Sequence, residues 1–349
     1  MSQASDLIDV RPVHRFDEAA LDRYMAEQVE GYQGPLTVRQ FEGGQSNPTY
    51  LVTDPRRRYV LRRKPPGKLL PTAHAVDREY RVITALGSTE VPVPRTLALC
   101  EDPAVIGTEF FLMEYVEGRI FRESLLPELA PGEPRAMFLA TIDVLARLHQ
   151  VDFEACGLGD YGKPGNYFAR QVGRWSRIYR ASETQQIPAM ERLMKWLPEN
   201  IPAGDETTIV HGDYRLGNMI VHPTEPRVLA VLDWELSTLG HPLADLAYTC
   251  MPYYVDHATL QGFKGLDLAA VGYPEEAELV EAYCKHTGRE AIPDWDFYVS
   301  FAIFRIAAIT QGIMGRVRDG TASGADAAER GARAPIMAEI AWNLVAHRA

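Results

Sequence analysis

The sequence predicts an α+β protein in two parts, a small mixed lobe followed by a larger and mostly helical one. Three observations predict it. Short strand-like segments crowd into residues 36–114 around one helical stretch, and long helical periodicities take over after Gly118. The 349 residues, 46 % of them hydrophobic, are also enough to fill two cores. The expected division is a helical extension over 1–35, an N-terminal lobe over 36–116 and a C-terminal lobe over 117–349.

Each element has its own signal. Residues 17–30 (DEAALDRYMAEQVE) carry the spacing of a leading amphipathic helix. Strand character follows at 36–41, 49–53 and 58–62, separated by turns rich in glycine, proline and arginine. A helix over 74–86 and strands over 95–100 and 109–114 complete the small lobe. In the second part the periodicity predicts helices over 134–150, 167–182, 243–255, 275–287, 295–315 and 335–347. Short buried strands are expected at 208–211, 219–222 and 228–232, and loops over 193–208 and 320–333.

Composition excludes several classes. Thirty-six basic residues against 47 acidic ones give a net charge of −11, a poor match to the phosphate-neutralising surface that non-specific nucleic-acid binding needs. Cys100, Cys156, Cys250 and Cys284 are scattered, with no CxxC, so reduced thiols in the cytoplasm are expected rather than disulfides or zinc. The first residues (MSQASDLIDVRPVHRF) lack the apolar core of a secretory signal. Ser300, Arg305, Thr310 and Gln311 interrupt the apolar run over 297–314, which reads as a buried helix and not a membrane span.

The strongest chemical signal is IVHGDYRLGNMIV, residues 209–221, where apolar strands flank His211, Asp213 and Asn218. Fifteen residues beyond Asn218, the segment VLDWE sets Asp233 at the end of another apolar strand. Charged groups at the ends of buried strands suit a site better than a core, since an unpaired buried charge is costly. Phosphoryl transfer needs a carboxylate to orient the attacking hydroxyl and oxygen ligands for Mg²⁺ on the nucleotide phosphates. Asp213 suits the first task, Asn218 and Asp233 the second, and His211 reads as a brace.

H-G-D-x-x-x-x-N followed by D-W-E resembles the phosphotransferase family that includes aminoglycoside phosphotransferases and choline kinases, relatives of the protein kinases. The resemblance implies a protein-kinase-like two-lobed fold, with an antiparallel sheet and one main helix in the small lobe. It also implies an ATP- and Mg²⁺-dependent small-molecule kinase. Gly212 and Trp234-Glu235 stand where protein kinases have Arg and Phe-Gly, and both departures match the small-molecule branch.

Further segments carry the resemblance. FEGGQSNPTYLV (41–52) looks like the phosphate-covering loop, with Gly43, Gly44, Ser46 and Asn47 offering backbone N–H groups to phosphate; the alternative is a plain hairpin turn. RYVLRRKP (58–65) resembles the strand whose basic residue meets the α- and β-phosphates. By alternation that residue is Arg62, where the family usually has lysine, and Glu79 is its expected ion-pair partner. FFLMEYVEG (110–118) resembles the strand entering the hinge, implying backbone groups of Glu114 and Val116 at adenine with Met113 behind them; the lesser alternative is a strand followed by a glycine turn. In GHPLADLAY (240–248), Asp245 is placed to cap a helix, and the resemblance makes it a brace for the catalytic loop.

Arg170, Arg174, Arg177 and Arg180 share one helix face. That face either meets solvent or recognises an anionic acceptor, which would exclude a polycationic aminoglycoside. A second basic cluster comprises Arg56, Arg57, Arg58, Arg63, Lys64 and Lys68. GGQSNPTY, VLRRKPPGKLLPTAHAVDREY and RWSRIYRASET look most similar to the kinase-like modules linked to acyl-CoA dehydrogenases. That similarity implies a hydroxyacyl thioester of coenzyme A as acceptor and a functional link to such a dehydrogenase.

Three alternatives remain. A catalytically weak or inactive nucleotide-binding module is favoured only by Arg62. A metal-dependent hydrolase built on His211, Asp213, Asp233, His241 and Asp245 lacks HxxxH or HExxH and leaves Asn218 without a role. A protein kinase is disfavoured by Gly212 and by the lack of an A-P-E-like segment after Trp234.

Overall fold

The computed structural model describes residues 7–42, 47–67, 74–126, 129–130, 132–257, 262–322 and 326–348. The chain forms two compact units: Met1–Arg122 with Phe153–Gly159 and Arg215–Ser237, and Glu123–Asp152 with Asp160–Tyr214 and Thr238–Ala349. This division differs from the linear one expected from the sequence, because residues 153–159 and 215–237 join the first unit.

The first unit is built on an antiparallel sheet of six strands: β1 (Leu7–Ile8), β2 (Thr37–Phe41), β3 (Thr49–Thr53), β4 (Arg58–Arg63), β5 (Thr96–Cys100) and β6 (Phe110–Glu114). Their spatial order is β1-β2-β3-β4-β6-β5. Alternation sorts the side chains. Tyr50, Val52, Tyr59, Leu61, Phe110 and Leu112 share one core with Leu21 and Met25 of helix α1 (Glu18–Gln28). Asp17 caps α1 by accepting the Ala20 N–H at 3.0 Å. The residues expected as a separate extension therefore contribute both a strand and core side chains to this unit.

Helix α2 (Val76–Leu86) packs on β5 and β6, with Val82, Ile83 and Leu86 buried and Tyr80 edge-on to Phe111. A hairpin of β8 (Met219–Val221) and β9 (Val228–Val231) completes the unit. It is pinned by the Arg119–Val221 bridge and by the Val231 N–H, which donates to the Pro92 carbonyl at 2.8 Å.

The second unit is mostly helical: α3 (Glu133–His149), α4 (Tyr167–Ala181), α5 (Pro188–Glu199), α6 (Leu243–Cys250), α7 (Glu276–Thr287), α8 (Trp295–Arg318), α9 (Ala327–Gly331) and α10 (Ala334–Val345). Strands β7 (Thr208–Val210) and β10 (Thr238–Gly240) pair antiparallel within it. Helix α8 is long and apolar enough to cross a membrane by length and composition, yet 72 % of its apolar window is buried inside the protein. It packs against α4, α6, α9 and α10.

Two loop expectations are corrected. Residues 188–199 form α5 because Pro188 sits in the first turn, where it costs no hydrogen bond, while Leu193, Trp196 and Leu197 bury one face. Residues 327–331, expected within a loop, form α9, where a Cβ on Gly331 would lie 3.0 Å from Met314. That glycine serves a close approach of α9 to α8. The helix expected over 243–255 ends at Cys250 and passes into a 3₁₀ turn, Met251–Tyr254.

Candidate active site

In the first unit, β4 runs between β3 and β6, and its alternation sends Leu61 to the α1 core and Arg62 to the opposite face. Arg62 is only 11 % exposed. Its Nε donates to Glu79 Oε2 at 2.6 Å, and its Nη2 donates to Asp233 Oδ1 at 2.5 Å and lies 3.9 Å from Glu235 Oε2. Glu79, 2 % exposed, also accepts the Trp234 backbone N–H through Oε1 at 3.3 Å. One guanidinium thus faces three carboxylates. Burial opposes its charge, but Glu79, Asp233 and Glu235 outweigh that and push Arg62 up. The deficit falls on Glu79, which burial raises to about 7, with Asp233 and Glu235 adding to the rise and Arg62 opposing it.

Asn218 and Asp233 emerge at one end of the β8–β9 hairpin. Met219 pairs with Val231, and one step further the Leu232 N–H donates to the Asn218 carbonyl at 2.8 Å. Asp233 adopts a left-handed backbone, φ +67°, a strain found at functional positions. An amide oxygen and a carboxylate oxygen are the hard donors that Mg²⁺ takes alongside phosphates and water, so this pair fits the ion. Among the described residues no group of three or more His, Cys, Asp or Glu is placed to hold a metal ion, the arrangement that the hydrolase alternative requires.

In the second unit, Asp213 follows β7 on a loop held from several sides. The carboxylate of Asp245, on α6, accepts the backbone N–H of His211 at 2.6 Å and of Gly212 at 2.9 Å. It therefore braces the loop instead of capping its own helix. Burial would raise Asp245, yet its hydrogen-bonding and charged surroundings, His149 foremost, leave it lowered. His149 Nε2 lies 3.6 Å from Asp245 Oδ2, and its Nδ1 lies 2.7 Å from the Tyr283 hydroxyl. Gly212 has φ +83°, which a side chain would strain. His211 is fully buried, and its Nδ1 accepts the Asp213 N–H at 3.2 Å. The Tyr248 hydroxyl donates to Asp213 Oδ1 at 2.6 Å, and Arg305, from α8, donates to the Gly212 carbonyl.

The other expected residues fare differently. Gly43, Gly44 and Ser46 lie outside the described residues, as does Lys68. Asn47 is buried, with Oδ1 3.1 Å from His74 Nδ1 and an Nδ2 that has no hydrogen-bond partner among the described residues. Met113 is buried in β6 opposite Val60. The Glu114 N–H is already donated to the Arg95 carbonyl at 2.9 Å and is not free for a ligand; Val116 is half-buried beyond the strand.

Of the helix α4 arginines, Arg180 pairs with Glu191 through two 2.5 Å bonds, and Arg170 donates to the Lys163 carbonyl at 2.5 Å. Arg174 and Arg177 are exposed. The second basic cluster does not form one surface. Arg63 is 4 % exposed and hydrogen-bonds Thr108 and the carbonyls of His14 and Ile106, Arg58 pairs with Glu117 at 2.7 Å, and Lys64 pairs with Glu109.

Residues 37–298 match the phosphotransferase enzyme family. The chain belongs to that family. This phosphotransferase is 52 % identical to a protein of Ralstonia eutropha whose crystal structure is described as that of a candidate aminoglycoside phosphotransferase, with a TM-score of 0.88 over 95 % of this chain and 99 % of that one. A choline kinase from Cryptosporidium parvum shares the fold at 11 % identity, with a TM-score of 0.67 over 95 % of this chain and 97 % of that one. The phosphotransferase is also 47 % identical to mouse acyl-CoA dehydrogenase family member 10 and 43 % identical to human family member 11. The matches take in 96 % and 92 % of this chain but only 32 % and 42 % of those proteins. The chain thus spans well under half of these relatives. The kinase-like α+β fold and the small-molecule kinase class expected from HGDYRLGN and DWE both stand.

Three functional neighbours escaped the sequence reading. Tyr248 lies three residues after Asp245, on the same side of α6, a spacing that could have flagged it. Glu235 follows Asp233 by two residues and joins the Arg62 network. Arg305 had no local signal, because only tertiary packing brings the middle of α8 to residue 212.

Proposed function

We propose that the chain transfers the γ-phosphoryl group of ATP, with Mg²⁺, to a hydroxyl of an anionic small molecule, and that a hydroxyacyl thioester of coenzyme A is the acceptor to test first. The observation that carries this reading is the meeting of Arg62, Glu79 and Asp233 in the first unit, with Asn218 at the same hairpin end as Asp233. Bound Mg²⁺ supplies charge neutralisation on the transferring phosphate, and Asn218 and Asp233 are the residues that would hold it. Glu79 fixes Arg62, whose fork meets phosphate oxygens bidentately in place of the single charge of a lysine. Because Arg62 also holds Asp233, loading the site requires Asp233 to share its oxygens. Asp213, steadied by Tyr248 and by the Asp245-braced backbone, orients the acceptor hydroxyl and takes its proton. Glu114 and Val116 offer backbone groups to adenine, and residues 43–47 cover the phosphates. The cytoplasm suits the four free cysteines, and the relatives' names support a functional link to an acyl-CoA dehydrogenase.

The test is a thermal-shift titration with ATP, with and without Mg²⁺, on wild type and Asp233→Asn. At a hundred times its dissociation constant the nucleotide adds about 2.7 kcal/mol of stability, a plainly raised midpoint. A Mg²⁺-dependent rise lost in Asp233→Asn is expected. No rise in wild type would overturn the reading, and a rise without any turnover would favour the inactive module, with Arg62 as its cause.

A further inference from the structure

The second unit gathers donors that lack an acceptor. Trp175, on α4, is 9 % exposed, and its Nε1 has no hydrogen-bond partner among the described residues. Arg170, five residues earlier and so about 140° round α4 from Trp175, also has a buried Nη1 without a partner among the described residues but stands apart from the indole. The Arg174 guanidinium lies 5.3 Å from the Trp175 ring centre and the Arg305 guanidinium 5.7 Å from it. Arg174 is exposed and Arg305 is 6 % exposed, and among the described residues neither has an ion-pair partner. Burial raises the Tyr167 hydroxyl to about 12, with Arg305, Arg174 and Arg170 opposing the rise and Asp245 adding to it.

A buried donor without an acceptor costs on the order of 1–3 kcal/mol, and a buried cation without a counter-charge costs more. A fold tolerates such a set most readily where a ligand completes it. The set also adjoins the catalytic loop. Arg305, beside the Trp175 ring, lies 5.3 Å from the Tyr248 ring centre, donates to the Gly212 carbonyl, and is thereby one residue from Asp213, which Tyr248 holds.

We propose that Trp175 Nε1, with Arg174, binds a negatively charged oxygen group of the phosphoryl acceptor, a carboxylate or a phosphate. The inference rests on the reading of Asp213 as the residue that orients the acceptor hydroxyl. The indole N–H supplies direction, the exposed Arg174 supplies charge, and Arg305 ties this subsite to the loop that carries Asp213. Arg180, bound to Glu191, takes no part.

The test is calorimetric titration of hydroxybutyryl-coenzyme A, hydroxybutyryl-pantetheine and free hydroxybutyrate into wild type, Trp175→Phe and Arg174→Ala. Trp175→Phe keeps an aromatic ring for Arg305 while removing the N–H donor together with part of the indole; Arg174→Ala is at an exposed position and checks the same subsite without that loss of buried volume. Both are expected to weaken the anionic acceptor by about tenfold or more, the worth of a hydrogen bond to a charged group, while the Mg²⁺-dependent ATP midpoint shift stays at its wild-type value. Weakening confined to the coenzyme A thioester identifies a phosphate as the bound group, and weakening of free hydroxybutyrate identifies a carboxylate. Wild-type affinity for all three ligands in both variants would overturn the subsite and leave a water as the partner of Nε1; so would a wild type that binds none of them. Failure of the phosphotransfer reading is seen separately, as a missing ATP shift in wild type.

Discussion

The two units hold their candidate site carboxylates by opposite means. In the first, Asp233 is gripped by a charged guanidinium that Glu79 and Glu235 also claim, so the arrangement is charge set against charge in a largely buried place. In the second, Asp213 is met by a phenol hydroxyl, and the backbone beside it is held by amides on Asp245. The first arrangement can be reset by adding a cation, as binding of a metal–nucleotide complex demands. The second keeps one carboxylate in one orientation, as transfer of a proton from a hydroxyl demands. The comparison predicts that changes in the first unit are felt in stability and nucleotide affinity, and changes in the second in turnover.

The largest effect is expected from Arg62→Met. It leaves Glu79, 2 % exposed, without its cation, and breaking a buried pair by removing one partner costs about 3–5 kcal/mol. Urea denaturation measures it. Pairing the change with Glu79→Met should recover most of the loss, because apolar groups of similar volume replace a buried pair at little cost. A single variant as stable as wild type would mean that the ion network contributes nothing to the fold of the first unit.

Acid sharpens the contrast from the other side. His241 is 5 % exposed, 4.9 Å from the Phe168 ring and stacked on Tyr298, and burial lowers it from 6.5 to about 4. Glu206 and Asp205 act to raise it, while Arg289 and His149 act to lower it further. The unfolded chain therefore binds the proton first as pH falls, and stability is lost between pH 6.5 and 4. At 1.36 kcal/mol per unit the loss reaches about 3 kcal/mol. His241→Gln should flatten the upper part of that window, above the range where carboxylates titrate, in urea denaturation at stepped pH. A slope identical to wild type would show that His241 takes up its proton as readily in the folded protein as in the unfolded chain.

Much of this architecture was legible because its signals are local. Short apolar runs ending in His, Asp or Asn marked β7, β8 and β9 and the residues at their ends. Alternation along RYVLRR separated Arg62 from Arg63, and the structure sends them to opposite faces. What was lost needed tertiary information. The prolines of 193–208 suggested a loop, but Pro198 sits in the last turn of α5, while Leu193, Trp196 and Leu197 supply the buried face. Gly331 looked like a loop glycine and instead lets α9 touch α8. The clustered arginines near residue 60 looked like one basic surface, although Arg63 is a buried tie for carbonyls. The spacing of the α4 arginines was visible, but not that Arg180 is neutralised by Glu191 while Trp175 beside Arg174 keeps an idle donor.

For turnover the prediction reverses in location. Asp213→Asn should lower kcat about a hundredfold or more, the usual worth of a placed base, with the ATP midpoint shift retained. Turnover at the wild-type rate would remove Asp213 from the chemistry and with it the distinction drawn between the units.

The smallest effect tests how the second unit holds that residue. Tyr248→Phe keeps the ring that Arg305 faces at 5.3 Å and removes only the hydroxyl 2.6 Å from Asp213 Oδ1. One hydrogen bond to a charged acceptor is worth about 1.5 kcal/mol, so kcat should fall about tenfold. On the proposed reading the hydroxyl acts on Asp213 and not on nucleotide, so KM for ATP and the melting midpoint should stay near wild type. A fall in stability with kcat intact would make Tyr248 a packing residue. The loop would then be held by Asp245 and Arg305 without help from Tyr248, and the hydroxyl on α6 would not be what orients Asp213.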